Sequence, residues 1–191
     1  MKNLLVVCLL CITAFACKNK STAADPRITK ADTTRFYPIA SFIRGQLNLF
    51  ESTKAIYVCV TIAGEKKDSV VINKQEAYKL AKAFIDADIS DSLHKINYKE
   101  SVFHDAGTGS YNINYTAFNL TDTVQNIDIL MDEQTSLIKR LFIRKQYLQE
   151  DARIIEQLNW KANEGFSQII SNRAASGSAT NKTTTVRVIL K

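Results

Sequence analysis

The chain has 191 residues, 46% of them hydrophobic, and its 25 Lys and Arg against 19 Asp and Glu give a net charge of +6 at pH 7. A chain of this length suits one domain and buries about 70% of its unfolded surface, which excludes a need for a disulfide or metal to hold it together. The charge is mildly positive and spread along the chain between acidic residues, so by itself it does not identify a partner.

The first seventeen residues have the pattern of an export signal. Lys2 precedes an apolar run over residues 4–15, which is too short to span a bilayer as a permanent helix. Small residues around Phe15 then lead into Cys17. This arrangement resembles the lipobox of bacterial lipoproteins, in a relaxed form typical of Bacteroidota. The resemblance implies that residues 1–16 are a lipoprotein signal peptide and that Cys17 is the acylated first residue of the mature protein.

Two alternatives to acylation remain: plain secretion after cleavage near Ala16, or an uncleaved membrane anchor. Residues 17–34 are mostly small and polar, which predicts a flexible tether. No acidic run follows Cys17, whereas such a run resembles a surface-export signal of Bacteroidota lipoproteins. We therefore expect a cell-envelope protein, lipid-anchored in the outer membrane and facing the periplasm, where nucleic acid is not an expected partner.

The predicted elements alternate at first between helices and strands. Apolar residues recur at three- and four-residue steps in two segments, which predicts two amphipathic helices. The second helix begins with Asn73 and Glu76 in the spacing of a capping box. After residue 91 we expect only strands, turns and a long loop over 172–183. The helices are predicted over residues 36–50 and 73–87, and the strands over residues 55–63, 69–72, 95–104, 110–120, 124–131, 137–148, 154–160, 166–171 and 184–190.

This order of elements predicts the fold class. Consecutive strands joined by short turns favour an antiparallel meander, and the apolar stripes of two helices need a sheet face to cover them. We expect an α+β fold in a single domain over residues 35–191, with a curved antiparallel β-meander of about eight or nine strands packed against two amphipathic helices. The helices are expected on the concave side of the sheet, and closure into a barrel remains open.

Residues 127–140 carry a family resemblance. Two apolar segments flank Asp132, Glu133, Gln134 and Thr135, and the predicted helix over 73–87 precedes them. This strand–turn–strand pattern resembles PepSY-type domains, which implies a helix followed by an antiparallel sheet and brings no catalytic motif. The expected topology is also similar to that of periplasmic lipoprotein carriers, which implies a curved sheet that accepts acyl chains.

No residue set in the sequence predicts catalysis, cofactor binding or a metal site. His104 and Asp105 are adjacent, as in a base oriented by a carboxylate, but no partnered nucleophile can be identified from spacing. Two distant histidines do not make a zinc site. The glycines at 107 and 109 are typical of a hairpin turn, and Trp160 on an alternating strand is typical of a core residue.

Two further surface features have competing interpretations. One is a basic cluster, Lys139, Arg140, Arg144 and Lys145, which fits either contact with anionic lipid phosphates or a solvated strand edge. The other is a set of three Asp-Ser/Thr-apolar triplets, which resemble the acceptor for periplasmic O-glycosylation in Bacteroidota. Its candidate sites are Ser69, Ser92 and Thr123.

The sequence therefore favours a membrane-anchored envelope lipoprotein that acts as a non-enzymatic binding or interaction module. Its expected partners are the membrane, through the N-terminal lipid, and either an envelope protein or an apolar ligand. The alternatives are a periplasmic carrier of an apolar ligand, an envelope hydrolase built around His104 and Asp105, and a structural subunit of an outer-membrane assembly.

Overall fold

The computed structural model describes residues 36–190. The predicted signal peptide over 1–16, the lipidation of Cys17 and the tether over 17–34 lie outside the described residues. The described part contains three helices, α1 (Ile39–Ser52), α2 (Lys74–Ile85) and α3 (Ser92–Lys95). Its strands are β1 (Ile56–Ala63), β2 (Lys66–Ile72), β3 (Tyr98–Asp105), β4 (Ser110–Ala117), β5 (Val124–Asp132), β6 (Ile138–Gln149), β7 (Ala152–Lys161), β8 (Gly165–Arg173) and β9 (Ala179–Ile189).

All nine strands form one antiparallel sheet in the order β2-β1-β9-β8-β7-β6-β5-β4-β3. Strands β3 to β9 follow one another as a meander, and the β1–β2 hairpin adds to the outer side of β9. The predicted α+β fold with a curved antiparallel meander is thus confirmed. Strands β2 and β3 are the two edges, so the sheet is open and the alternative of a closed barrel is not realised.

The predicted loop over residues 172–183 is wrong. Strand β8 continues to Arg173 and β9 begins at Ala179, and these two residues pair across a short turn in which Gly177 has a φ of 89°. The segment is polar and lacks apolar alternation, so its sequence carries no strand signal. Threonine is nevertheless a good strand former, and four threonines of this hairpin occupy β9.

The expectation that only strands follow residue 91 also fails at one point. Asp91 is the N-cap of the one-turn helix α3, and its carboxylate accepts hydrogen bonds from the backbone N–H groups of Leu93 and His94. This local interaction holds the chain in a helical turn until β3 begins at Tyr98. The predicted capping box at α2 is confirmed, with hydrogen bonds in both directions between Asn73 and Glu76.

Helices α1 and α2 pack on one face of the sheet around Trp160. The Trp160 ring stacks on Phe166 of β8 at 4.8 Å between centroids. It also contacts Phe84 of α2 edge-on at 5.2 Å and stacks on Phe50 of α1 at 6.3 Å. Trp160 is 1% exposed, which confirms its prediction as a core residue. Cys59 is also buried in this core as a free cysteine.

One ion pair is buried on the same side of the sheet. The Lys145 ammonium lies 2.7 Å from a carboxylate oxygen of Glu156, a residue that is 3% exposed. Gln168 donates a further hydrogen bond to that carboxylate. Buried charges need such partners because loss of one leaves the other desolvated and unpaired, so Lys145 has a structural role.

Candidate functional site

The two faces of the sheet differ in what covers them. Successive residues of a strand point to opposite faces. In β7, Ile154, Glu156, Leu158 and Trp160 are buried on the side of the helices, whereas the alternate residues remain at least partly exposed. We call the side away from the helices the open face. Its β7 residues are Arg153, Ile155, Gln157, Asn159 and Lys161.

Two hollows lie on the open face of β6 to β9. The first, about 500 Å³, spans β4 to β9 and includes Arg140, Phe142, Lys161 and Arg187 in its lining. The second, about 550 Å³, lies at the other end of the same strands and includes Leu148, Ile155, Arg153 and Arg173. Each hollow therefore combines cationic and apolar side chains with at least one carboxylate, which is that of Asp128 and Glu164 in the first and of Asp151 in the second.

Gly165 lies at the floor of the first hollow. It pairs with Lys161 of β7 and with Arg187 of β9, so the cations on either side of it are separated by a residue without a side chain. Its φ of +127° lies in the region that favours glycine, and a Cβ here would overlap the backbone carbonyl of Val186. The chain thus requires glycine at this point.

Positive charge is concentrated on the open face. Across β1, β2 and β6–β9 this face carries seven cationic side chains and no carboxylate. Only Lys161 is in an ion pair within the described residues, with Glu164 of the adjoining turn at 2.6 Å. The seven residues are Lys67, Arg140, Arg144, Arg153, Lys161, Arg173 and Arg187.

On this face, the carboxylate nearest to the cations of β6 in strand register is that of Asp128 in β5. One of its oxygens accepts a hydrogen bond from Asn114 at 2.6 Å, and the other accepts one from Asn126 at 2.7 Å. The Asp128 carboxylate therefore accepts its hydrogen bonds from neutral amides and not from the arginines. The cations keep their hydrogen-bonding capacity for a ligand.

An apolar strip continues the open face beyond β9. Ile56, Val58, Val60 and Ile62 of β1 all point to this face, and Val71 of the edge strand β2 is 68% exposed. An exposed aliphatic strip beside a carboxylate-free cationic area is a surface suited to contact with a partner.

The basic cluster predicted from residues 139–145 does not form one surface. Lys139 contacts Asp132 at 2.9 Å and donates a hydrogen bond to Ser110, and Lys145 is the buried partner of Glu156 described above. Only Arg140 and Arg144 lie on the open face. The cations of β7, β8 and β9 could not be grouped with these two from sequence, because strand register joins them to β6 while many residues separate them along the chain.

The predicted pair His104 and Asp105 does not act as a unit. His104 Nε2 lies 3.1 Å from Glu133, and its ring lies 4.7 Å from that of Tyr111. The Asp105 carboxylate instead accepts hydrogen bonds from Thr108 and the Gly107 backbone, which lower its pKa. Residues 106–109 form the turn between β3 and β4, as predicted. Residues 36–190 hold no group of three or more His, Cys, Asp or Glu able to bind a metal ion.

The acidic turn that carries the PepSY resemblance has a well-defined geometry. Asp132 accepts hydrogen bonds from the backbone N–H groups of Gln134 and Thr135 and from the Thr135 hydroxyl. The Lys139 ammonium, together with the Thr135 backbone and hydroxyl, holds the pKa of the Asp132 carboxyl well below its usual range. The segment is strand–turn–strand, as expected, and its acidic residue orders the turn.

The three candidate O-glycosylation residues are exposed but lie apart. Ser69 is within the edge strand β2, Ser92 is the first residue of α3, and Thr123 immediately precedes β5. Each hydroxyl is on an accessible part of the chain, which glycosylation requires. The structure does not bring the three into one site.

Comparisons with known proteins give no assignment: no family model, curated protein or solved structure matches this chain. None of the helices within residues 36–190 is long and apolar enough to cross a bilayer.

Replacing Gly165 tests the geometry of the first hollow. We expect Gly165→Ala to lower the free energy of unfolding by about 2 kcal/mol or more, because the left-handed backbone and the Val186 carbonyl both oppose a Cβ. The matched control is Gly45→Ala in helix α1, where nothing lies within 4 Å of the added atom and a gain of about 0.5–1 kcal/mol is expected. Urea denaturation measures both. Equal stability of the two variants would contradict the assigned backbone.

Proposed function

We propose that this chain is a lipid-anchored, non-enzymatic binding module of the bacterial cell envelope, and that the open face is its contact surface. The observation that carries the proposal is the charge of that face. Seven cations without a carboxylate on six strands, next to an aliphatic strip, form a surface that the fold itself does not use. Six of the seven cations have no ion-pair partner among residues 36–190, the exception being Lys161 with Glu164, and a cluster of such charges favours an oppositely charged partner.

The proposed anchor is the acylated Cys17. One acyl chain holds a protein only reversibly, whereas two or more make attachment stable, because each buried methylene contributes about 0.8 kcal/mol. We further propose that the polar sequence over residues 17–34 serves as the tether between this lipid and the domain.

Binding is favoured over catalysis by the surroundings of His104, the base around which the hydrolase alternative is built. The described partners of His104 are Glu133 and Tyr111, and no serine or cysteine nucleophile is among them. Asp105 is engaged with its own turn. The envelope hydrolase therefore remains the weaker alternative.

A surface partner is also favoured over an enclosed apolar ligand. The space between the helices and the sheet is filled by Trp160, Phe50, Phe84 and Phe166, which stack or meet edge-on. An apolar ligand would have to bind on the open face, where cations line both hollows. The carrier alternative thus requires a ligand that tolerates charged side chains of both signs in the lining.

The anchor is tested in the bacterium that produces the protein. We expect mass spectrometry of the mature N-terminus to show acylated Cys17, and we expect Cys17→Ser to move the protein from the detergent phase to the aqueous phase. Cys59→Ala is the matched control, because Cys59 is buried in the core and its loss leaves the lipid in place. An unmodified Cys17 with unchanged partitioning would contradict the anchor.

The contact surface is tested by photo-crosslinking in intact cells. A photoreactive residue at Gln157, in the middle of the open face, is expected to give covalent adducts with an envelope component. The same residue at Lys79, exposed on helix α2, is expected to give none. Adducts from Lys79 but not from Gln157 would place the contact on the helices and overturn the proposal.

A further inference from the structure

We propose that the open face lies against an anionic lipid bilayer, with its arginines and lysines binding lipid phosphates and its aliphatic strip entering the headgroup region. This inference rests on one part of the proposed function, namely that the open face is the contact surface. It names the chemical class of the partner, which the proposed function leaves open.

The positive charge of the open face does not reflect an excess of cations in the described residues. It arises because cationic and acidic side chains lie on different parts of the surface. Residues 36–190 contain 18 Lys and Arg and 17 Asp and Glu, a net charge of only +1. Yet the open face of β1, β2 and β6–β9 holds seven of these cations and none of the carboxylates. Anionic lipid surfaces attract such clusters, each cation adding to the attraction.

The type of cation also matters. Of the six arginines within residues 36–190, only Arg44 lies off the open face. A guanidinium presents a planar fork of donors that matches the oxygens of a phosphate, whereas an ammonium acts as a point charge. The five open-face arginines have no ion-pair partner among the described residues, so these donors remain free for phosphate.

The spacing of the cations favours a surface over one small anion. Arg140, Lys161 and Arg187 lie in one row across β6, β7 and β9 at one end of the strands, and Arg153 pairs directly with Arg173 at the other end. Lys161 lies eight positions after Arg153 along β7, which corresponds to about 26 Å of extended strand. Arg144 lies between the two ends. One phosphate cannot reach all of these groups, but a layer of headgroups can.

The aliphatic strip distinguishes a bilayer from an acidic protein. Ile56 and Ile62 of β1 are 37% and 41% exposed and lie on the same face as the arginines. Apolar side chains flanked by basic ones suit the boundary between headgroups and acyl chains. An acidic protein would have to match each cation with its own carboxylate, whereas lipid headgroups rearrange to meet them.

The experiment uses residues 17–191 with Cys17→Ser, the chain that remains after the proposed cleavage, which retains every described residue and carries no lipid. We expect it to sediment with vesicles of phosphatidylglycerol and phosphatidylethanolamine and not with vesicles of phosphatidylcholine. Removing three charges with Arg140→Gln, Arg144→Gln and Arg187→Gln is expected to weaken this binding about a hundredfold. Circular dichroism verifies that the fold is retained.

The matched control removes three exposed cations from other surfaces, by Arg44→Gln, Lys79→Gln and Lys182→Gln. We expect it to bind within about threefold of the parent, because these charges lie away from the contact. Equal weakening in both variants would overturn the inference in favour of general charge attraction. Displacement by millimolar inorganic phosphate would overturn it in favour of a small-anion site.

Failure of this inference is distinguishable from failure of the proposed function. If the purified chain ignores anionic vesicles while Gln157 still crosslinks to an acidic protein in cells, the lipid partner is wrong and the binding module stands. If it binds the vesicles but Cys17 is unmodified, the lipid contact stands and the anchor fails.

Discussion

The packing of aromatic rings around Trp160 fixes both helices on one face of the sheet. Phe50 of α1 and Phe84 of α2 both contact this ring, and Phe166 of the neighbouring strand β8 stacks on it. Truncation of a buried tryptophan costs about 3–5 kcal/mol, a large part of the stability of a domain. Because both helices meet at the same residue of β7, they cover the same face of the sheet.

This arrangement leaves the opposite face without a protein cover. A sheet face that only met water would be expected to mix both signs of charge, as the described residues do on average. Instead the open face carries unpaired arginines, whose mutual repulsion opposes folding. Local features that oppose stability without an evident structural gain are typical of functional sites. The core therefore has to offset the repulsion between the cations of β6 to β9.

The sequence predicted the fold class and most elements, because hydrophobic periodicity and the Asn73–Glu76 capping box are local signals. It missed α3, which depends on one Asp91 side chain, and the polar hairpin of β8 and β9, which has no apolar alternation. The candidate site was predicted only in part. Arg140 and Arg144 stood out as neighbours in sequence, whereas Arg173 and Arg187 join them only through the register of the strands. The statements on Cys17 and residues 1–34 stay predictions, since they lie outside the described residues.

The most direct test of this account asks whether the open-face cations serve folding or binding. The measurement is the free energy of unfolding, from urea denaturation, of the chain with Arg140→Gln, Arg144→Gln and Arg187→Gln beside the parent chain. The account predicts that stability is unchanged or slightly higher, because these charges repel one another and have no ion-pair partner among residues 36–190. A loss of about 2 kcal/mol or more would show that the arginines stabilise the fold, and it would contradict their assignment to a binding surface.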